Sequence, residues 1–429
     1  MPPAQNSTPD PAPDSASPPA RSIWRGRLTA LAGLVILGLN LRAAFTTVAP
    51  ALNHIRAEVA LSPTAESLIA TAPPLMFAIF GATAPLLGRR WGLERVVAGA
   101  MTVATLGIVA RALTSDGLVF LATTGLIMAG LGAANVTVPP LIKRYFPDRI
   151  GLMTTASTVF LVVGQALPPA VAVPLADRFG WRWAIGVWAV GSALSALPWV
   201  VQPYRLNRRR GRPRARPRAA KTVKVMRSPT FWGITGLLAS NSVCAYALIG
   251  WLPQIMIDAG AEPRQAALWL TWLTAGSLIP ALAAPTLTLR LRHPQILVVV
   301  MFVAWVVSLG GFALSPLHAT WWWLILTRVG DGNYACALTL MNLRTRHPQT
   351  LLAVSGFGQA VGYTCAAVAT FAFGQLHAAT GAWLWPLTLL ICTMPLGLVG
   401  GLVACRKTYV EDEVRGIVPP AVGDSKTPA

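Results

Sequence analysis

Charged side chains are scarce in this 429-residue sequence: Asp, Glu, Lys and Arg together make up 12%, where a soluble globular chain carries about 25%. So few charges do not make a water-facing surface for a chain this long, which argues against two or three soluble domains. Cysteine is rare too. Cys244, Cys336, Cys365, Cys392 and Cys405 all fall in or at the end of apolar stretches, with no Cys-x-x-Cys pair. An odd count in that setting is neither a disulfide framework nor a zinc site, and these cysteines read as small packing residues. No Gly-rich loop runs into Lys-Ser or Lys-Thr, which argues against an ATP-driven pump. His54, His293, His318, His347 and His377 lie in loops or at segment ends without metal-ligand spacing, and no serine or cysteine triad is apparent. Neither an enzyme nor a cofactor nor a metal site is therefore expected. Residues 1–20 are rich in Pro, Ala and Ser and contain no apolar core, so they read as a disordered tail rather than a cleavable signal peptide.

Apolar residues dominate instead: the hydrophobic fraction is 54% and the mean hydropathy is +0.56. A membrane-spanning helix needs about 20 mostly apolar residues. Twelve segments qualify: 28–49, 64–87, 93–112, 118–140, 151–174, 183–202, 231–252, 266–288, 295–314, 321–343, 351–376 and 382–404. Several carry internal Pro or Gly, which membrane helices tolerate where neighbours or water satisfy the freed backbone groups.

The net charge of +20 raises the question of nucleic acid, but its distribution points to topology. Arg89, Arg90 and Arg95 follow segment 2, and Lys143, Arg144 and Arg149 follow segment 4. Arg290 and Arg292 follow segment 8, and Arg344 and Arg346 follow segment 10. If every segment spans once, all of these share the side of the basic N-terminus, the cytoplasmic side by the positive-inside rule. Trp321, Trp322 and Trp323 open segment 10 at its outer end, where an interfacial aromatic belt belongs. The connection 203–230 holds a run of basic residues from Arg208 to Arg227, without hydrophobic periodicity. Within it, Arg210-Gly211-Arg212-Pro213 resembles the core of a minor-groove hook. Tethered to membrane segments, those arginines suit anionic lipid better, at about 1 kcal/mol per basic residue near the surface. No nucleic-acid partner is expected.

The two halves look related. A shift of 201 brings Asn40 onto Asn241, Arg89 onto Arg290, Lys143 onto Arg344, Pro147 onto Pro348 and Gly180 onto Gly381. The expected organisation is a cytoplasmic tail at 1–27, six helices at 28–202, a cytoplasmic linker at 203–230, six helices at 231–405 and a cytoplasmic tail at 406–429. Parallel six-helix repeats of this kind are the architecture of the major facilitator superfamily. The fold class is thus an all-α polytopic membrane protein, with twelve helices in two pseudo-symmetric bundles.

Several stretches resemble the cyanate and 2-nitroimidazole transporter family within that superfamily. They are Leu39-Asn40-Leu41-Arg42-Ala43, Asn135-Val136 with Pro140-Leu141-Ile142-Lys143-Arg144, Phe146-Pro147, Gly151-Leu152-Met153-Thr154, Gly180-Trp181-Arg182-Trp183, Trp251-Leu252-Pro253 and Gly358-Gln359-Ala360-Val361-Gly362-Tyr363. The resemblance runs from about residue 30 to 404. Two places depart from the family pattern: Ala43 stands where that family usually has Pro, and Arg328-Val329-Gly330-Asp331-Gly332-Asn333 replaces a Gly-Gln-Gly-like stretch. Both departures leave the identity of the solute open.

Arg42 is the sharpest single signal. It lies about 21 Å into segment 1 at 1.5 Å per residue, and an arginine near a helix centre costs about 2.5–3.5 kcal/mol on insertion scales. Such a residue faces a partner or a water-filled cavity, and its planar fork suits small carboxylate-like anions; the alternative is a snorkelling or carbonyl-paired structural arginine. Arg328 and Asp331, one turn apart, form a structural ion pair or take part in solute binding and coupling, with Asp331 a candidate protonation site. The resemblance places helices 1, 4, 7 and 10 around a central cavity, which adds Asn40, Asn135, Thr137, Asn241, Tyr246 and Asn333 as candidates. Helix 11 adds Gln359 and Tyr363. For the amides, helix-to-helix hydrogen bonding is the competing role.

The expected function is secondary active transport of a small anionic solute, cyanate-like or organic, across the inner membrane by alternating access. It would run as a monomer in the lipid bilayer, with a proton or counter-ion as driving partner. A proton-driven drug or nitroheterocycle exporter and a non-transporting membrane sensor are the alternatives. This topology is testable with reporter fusions: both termini and the 203–230 linker are expected on the cytoplasmic side, and an externally accessible linker overturns the helix assignment.

Overall fold

The computed structural model describes residues 27–206 and 225–415. The terminal stretches expected as tails, and most of the linker with its run from Arg208 to Arg218, lie outside the described residues. Among the described residues the secondary structure is entirely helical. We number the spans α1 (Leu28–Arg56), α2 (Pro63–Trp91), α3 (Leu93–Leu113), α4 (Gly117–Tyr145), α5 (Ile150–Phe179), α6 (Trp181–Gly186 continued by Trp188–Leu206), α7 (Pro229–Asp258), α8 (Pro263–Arg290), α9 (Pro294–Leu314), α10 (Thr320–Leu343), α11 (Pro348–Thr380) and α12 (Leu384–Ala404), with a short α13 (Val410–Arg415) after them.

Among the described residues, nine of these helices are long and apolar enough to cross a membrane by composition. The other three, α2, α10 and α11, are as long, at 29, 24 and 33 residues. In α10 the polar stretch from Arg328 to Asn333 dilutes the apolar content of an otherwise spanning helix. Most observed helices run a few residues beyond the apolar segments, because a helix continues past the hydrocarbon layer until a turn signal stops it. Ser62, Asp116 and Ser228 supply such signals, each accepting the N–H of the residue three ahead at 2.9–3.1 Å.

Each half folds into its own six-helix bundle. In the first, α1 packs on α5 and α6, and α4 on α2 and α3; in the second, α7 packs on α10, α11 and α12, and α9 on α10 and α12. The bundles meet along α2 against α11 and α5 against α8. Gly180 and Gly381, one shift of 201 apart, both hold positive φ, 85° and 67°. They turn α5 into α6 and α11 into α12, so the matched glycines perform one job twice.

The lipid-facing surface is legible in the exposed apolar residues. Ile296, Val300, Val303 and Val307 are all exposed on α9, at helical spacing. Leu106 and Val109 on α3, Val190 and Leu197 on α6, and Leu396 and Val399 on α12 repeat the pattern. Apolar area of this extent is stable only when covered, and acyl chains cover it.

Two helices break next to the space between the bundles. α1 consists of Leu28–Asn40, Ala43–Thr46 and Val48–Arg56. Pro50 removes one backbone donor, while Thr46 and Thr47 donate their hydroxyls to the carbonyls of Arg42 and Ala43 at 3.2 and 2.7 Å, weakening the regular ladder. α8 breaks between Ala275 and Leu278 at Gly276-Ser277.

At one end the bundles close on each other. Gln375 on α11 donates to the Ser67 hydroxyl on α2 at 3.1 Å, and a Cβ on Gly374 would collide with the same Ser67 side chain. Gly250 on α7 packs against Ala70 on α2. Gly374→Val should wedge α2 from α11. Overpacking of about 1–3 kcal/mol shifts the balance of closed and open forms by roughly 5- to 150-fold. With Cys365 and Cys392 replaced, an Ala70→Cys probe should then react faster with a membrane-impermeant maleimide added outside; unchanged labelling counts against closure at this contact.

Candidate functional site

Between the bundles lies a cavity of about 920 Å³, lined by residues of α1 to α5 on one side and of α7, α8, α10 and α11 on the other. It reaches Ile142 and Asn342, at the ends of α4 and α10 that lead into Lys143 and Arg344. It opens towards the end of the molecule that carries the basic loops, opposite the Ser67–Gln375 contact.

Arg42 sits at the break in α1, as the residue before Ala43–Thr46. Its side chain enters the cavity wall and crosses to the other bundle. Nη1 donates to the Tyr246 hydroxyl on α7 at 2.9 Å. The guanidinium carbon stands 5.0 Å from the centre of the Phe77 ring and 5.8 Å from that of Tyr246, within cation–π range. Tyr363 stacks edge-on to Tyr246 at 5.9 Å and lies 5.9 Å from Phe77. Among the described residues no carboxylate pairs with Arg42, and its Nε is buried without a protein partner. The result is a fixed positive charge held by aromatic faces and one phenol, with donor capacity left over at the cavity.

Arg328 and Asp331 also line the cavity and form an ion pair across one helical turn, with side chains 14% and 12% exposed. Arg328 Nε and Asp331 Oδ1 have no further protein partner. The pair therefore cancels its own charge and leaves one buried donor and one buried acceptor without a protein partner.

The structure brings most of the expected residues to this cavity and leaves two outside it. Asn135, Thr137, Asn241, Tyr246, Gln359 and Tyr363 line it. Asn241 Oδ1 is unpartnered, and Gln359 donates to Ser355 at 2.9 Å. Asn40 does not line the cavity: it donates to the Ile36 carbonyl at 2.8 Å and packs against Gly191 of α6. Two residues separate it from Arg42, about 200° around a helix. Asn333 is buried within α10 away from the cavity, with both amide atoms lacking a protein partner. Asn40 and Asn241, paired by the repeat, thus end in different surroundings.

Three contributors carry no polar signal in a deep span that sequence alone could separate. Phe77 on α2 and Tyr334 on α10 read as ordinary spanning aromatics, yet both line the cavity. Arg111 stands at the last residues of an apolar segment, where an interfacial arginine is normal. In the fold it is fully buried.

The family model described as Major Facilitator Superfamily matches residues 34–367. The 2-nitroimidazole transporter of Escherichia coli (strain K12) is 32% identical over 385 residues, covering 89% of this chain and 96% of that protein. The cyanate transport protein CynX of the same organism is 24% identical over 353 residues, 82% of this chain and 90% of that one. Among solved structures, a bacterial homolog to the human lysosomal transporter Spinster, in an inward-facing and unoccupied conformation, superposes with a TM-score of 0.69. Its sequence identity is 15%, and the match covers 95% of this chain and 100% of that one.

The Arg328–Asp331 geometry makes a separable prediction. Asp331→Asn strands a guanidinium at low exposure, and breaking a buried pair costs about 3–5 kcal/mol. Removing both charges with Arg328→Gln and Asp331→Asn should recover most of that loss. Thermal midpoints of the purified variants measure it. A single variant as stable as the parent would mean that the pair contributes nothing to the fold.

Proposed function

The chain belongs to the Major Facilitator Superfamily, and on that premise we propose that it moves a small, planar organic anion by alternating access. It is a multi-pass membrane transporter, not an enzyme. What carries the anion reading is Arg42: a permanent cation on the cavity wall, with no acidic partner among the described residues, presented between aromatic rings. A carboxylate or similar group takes the free side of the guanidinium in charge-assisted hydrogen bonds. Phe77, Tyr246 and Tyr363 offer π-faces to the flat body attached to it.

The bundles rock around this site, in the manner of superfamily members built from two related halves. With the positive-inside rule setting the orientation, the cavity faces the cytoplasm, the Ser67–Gln375 end faces outward, and both termini are cytoplasmic in a bacterial inner membrane. The protein works as a monomer. Asp331 is the coupling group: protonating it frees Arg328 for the solute or for a change in packing, so a proton gradient supplies the drive. Asp331→Asn should then abolish gradient-driven accumulation and leave solute exchange.

A second reading, an exporter of neutral nitroheterocycles, is favoured by the mostly apolar cavity wall and by the relative named a 2-nitroimidazole transporter. Charge separates the two. Arg42→Lys keeps the charge but loses the fork, and should weaken anion binding by about 1.5–3 kcal/mol, or 10- to 150-fold. Tyr246→Phe, which removes only the 2.9 Å bond, should have a smaller effect in the same direction. Arg42→Ala should abolish transport while membrane abundance holds. Binding and abundance are measured together in proteoliposomes against a panel of aromatic and aliphatic carboxylates and neutral nitroimidazole. Normal transport by Arg42→Ala removes the anion reading, and selective loss of nitroimidazole movement with carboxylates inert favours the exporter.

A further inference from the structure

Arg111 lies in the last turn of α3, near the closed end of the bundles, and is 0% exposed. Its Nη2 donates to the Ala44 carbonyl of the broken α1 at 3.0 Å. The guanidinium carbon stands 5.7 Å from the centre of the Phe120 ring. Nε and Nη1 are buried with no protein partner, and no ion pair of the described residues includes Arg111. An arginine cannot shed its proton, and a buried charge is paired or it costs a great deal.

A second, separate cavity of about 30 Å³ adjoins this side chain. Phe45, Val48, Ile69 and Met128 give it apolar walls, and Glu66 is the acid that reaches it. Both Glu66 oxygens are already engaged by Arg56, through Nε and Nη2 at 2.5 Å each. Glu66 is therefore neutralised by another arginine and does not balance Arg111. About 10–15 Å³ holds one water, so this space has room for about two waters or for one ion of chloride size. A water would accept the free N–H groups, but only an anion also balances the charge.

We infer that Arg111 and this cavity form a binding site for one small monovalent anion of halide size, distinct from the Arg42 site. Gly250 and Trp251 of α7 form part of its wall, so both bundles line it. The ion is held when the two bundles meet at this end, and it favours that closed form in proportion to its preference for it.

The experiment compares sodium chloride with sodium gluconate at equal ionic strength, reading the thermal midpoint of the purified full-length protein. It is run in an Arg42→Gln background, so that an anion at the solute site does not contribute. Arg42→Gln should show a saturable rise in midpoint with chloride over gluconate, because a ligand that binds only the folded form stabilises it. Adding Arg111→Gln should abolish the rise. No difference between the salts in the Arg42→Gln protein overturns the site, and so does a rise that persists in the double variant. Should Arg111→Gln fail to give folded protein, crystals of the unaltered chain grown in bromide decide the matter. An anomalous peak within hydrogen-bond distance of Arg111 Nη1 supports the site, and its absence overturns it. The outcome stands apart from the identity of the transported solute, which the Arg42 measurements test.

Discussion

A guanidinium that cannot lose its proton, lodged in a bilayer-spanning bundle without a counter-charge among the described residues, constrains the structure around it. At a helix centre such a charge costs about 2.5–3.5 kcal/mol on insertion scales. The fold offsets this for Arg42 with one phenol and two ring faces and leaves the rest of the side chain at the cavity. Because Tyr246 belongs to the opposite bundle, its share of the offset exists only while the bundles stand as they do here, whereas the Phe77 face stays within the bundle of Arg42. Movement of one bundle against the other changes the surroundings of this charge, and an anion bound to it changes the balance in turn.

Three arginines deep in the bundles illustrate three ways to hold the same charge. Arg328 has its own carboxylate one turn away and needs nothing from outside α10. Arg42 has aromatic faces and a hydroxyl. Arg111 has a backbone carbonyl and a ring, with two nitrogens left over. Electrostatic demand for an external anion rises from the first to the others, since neither a ring nor a carbonyl carries a full opposite charge. The Arg56–Glu66 pair shows the opposite arrangement: a bidentate fork with both carboxylate oxygens used closes a contact and leaves little for a ligand.

The meeting of α2 with α11 depends on small side chains. A Cβ on Gly374 of α11 would collide with Ser67 of α2, and beside this contact Gly250 of α7 comes tightly against Ala70 of α2. Without a hydrophobic drive between helices in lipid, close packing of small residues is what holds such a contact. It is also what lets it part, because few polar bonds cross it; the Gln375–Ser67 bond is one of them. At the other end the same two bundles splay to leave the cavity, so contact at one end and opening at the other are two views of one tilt.

The number and order of the spans, the basic loops and the division into related halves follow from the sequence by itself. Twenty-residue apolar runs, Lys and Arg placement, and a constant repeat offset are local properties that a bilayer reads one segment at a time. Arg42, Arg328 and Asp331 stand out for the same reason, as charges where the solvent is hydrocarbon. Tertiary structure alone decided which polar residues meet. Asn40 and Asn241 occupy equivalent places in the repeat, yet Asn241 lines the cavity and Asn40 packs on Gly191 of α6 within its own bundle. Phe77 and Tyr334 carry no charge or unusual polarity to mark them, and they join the site only because helices distant in sequence pack around one space. Arg111 reads as an interfacial residue at the end of a span, and is fully buried because α1 and α4 close over that end of α3. Helix ends, unlike helix centres, take their environment from neighbours, and neighbours are what a single segment does not encode.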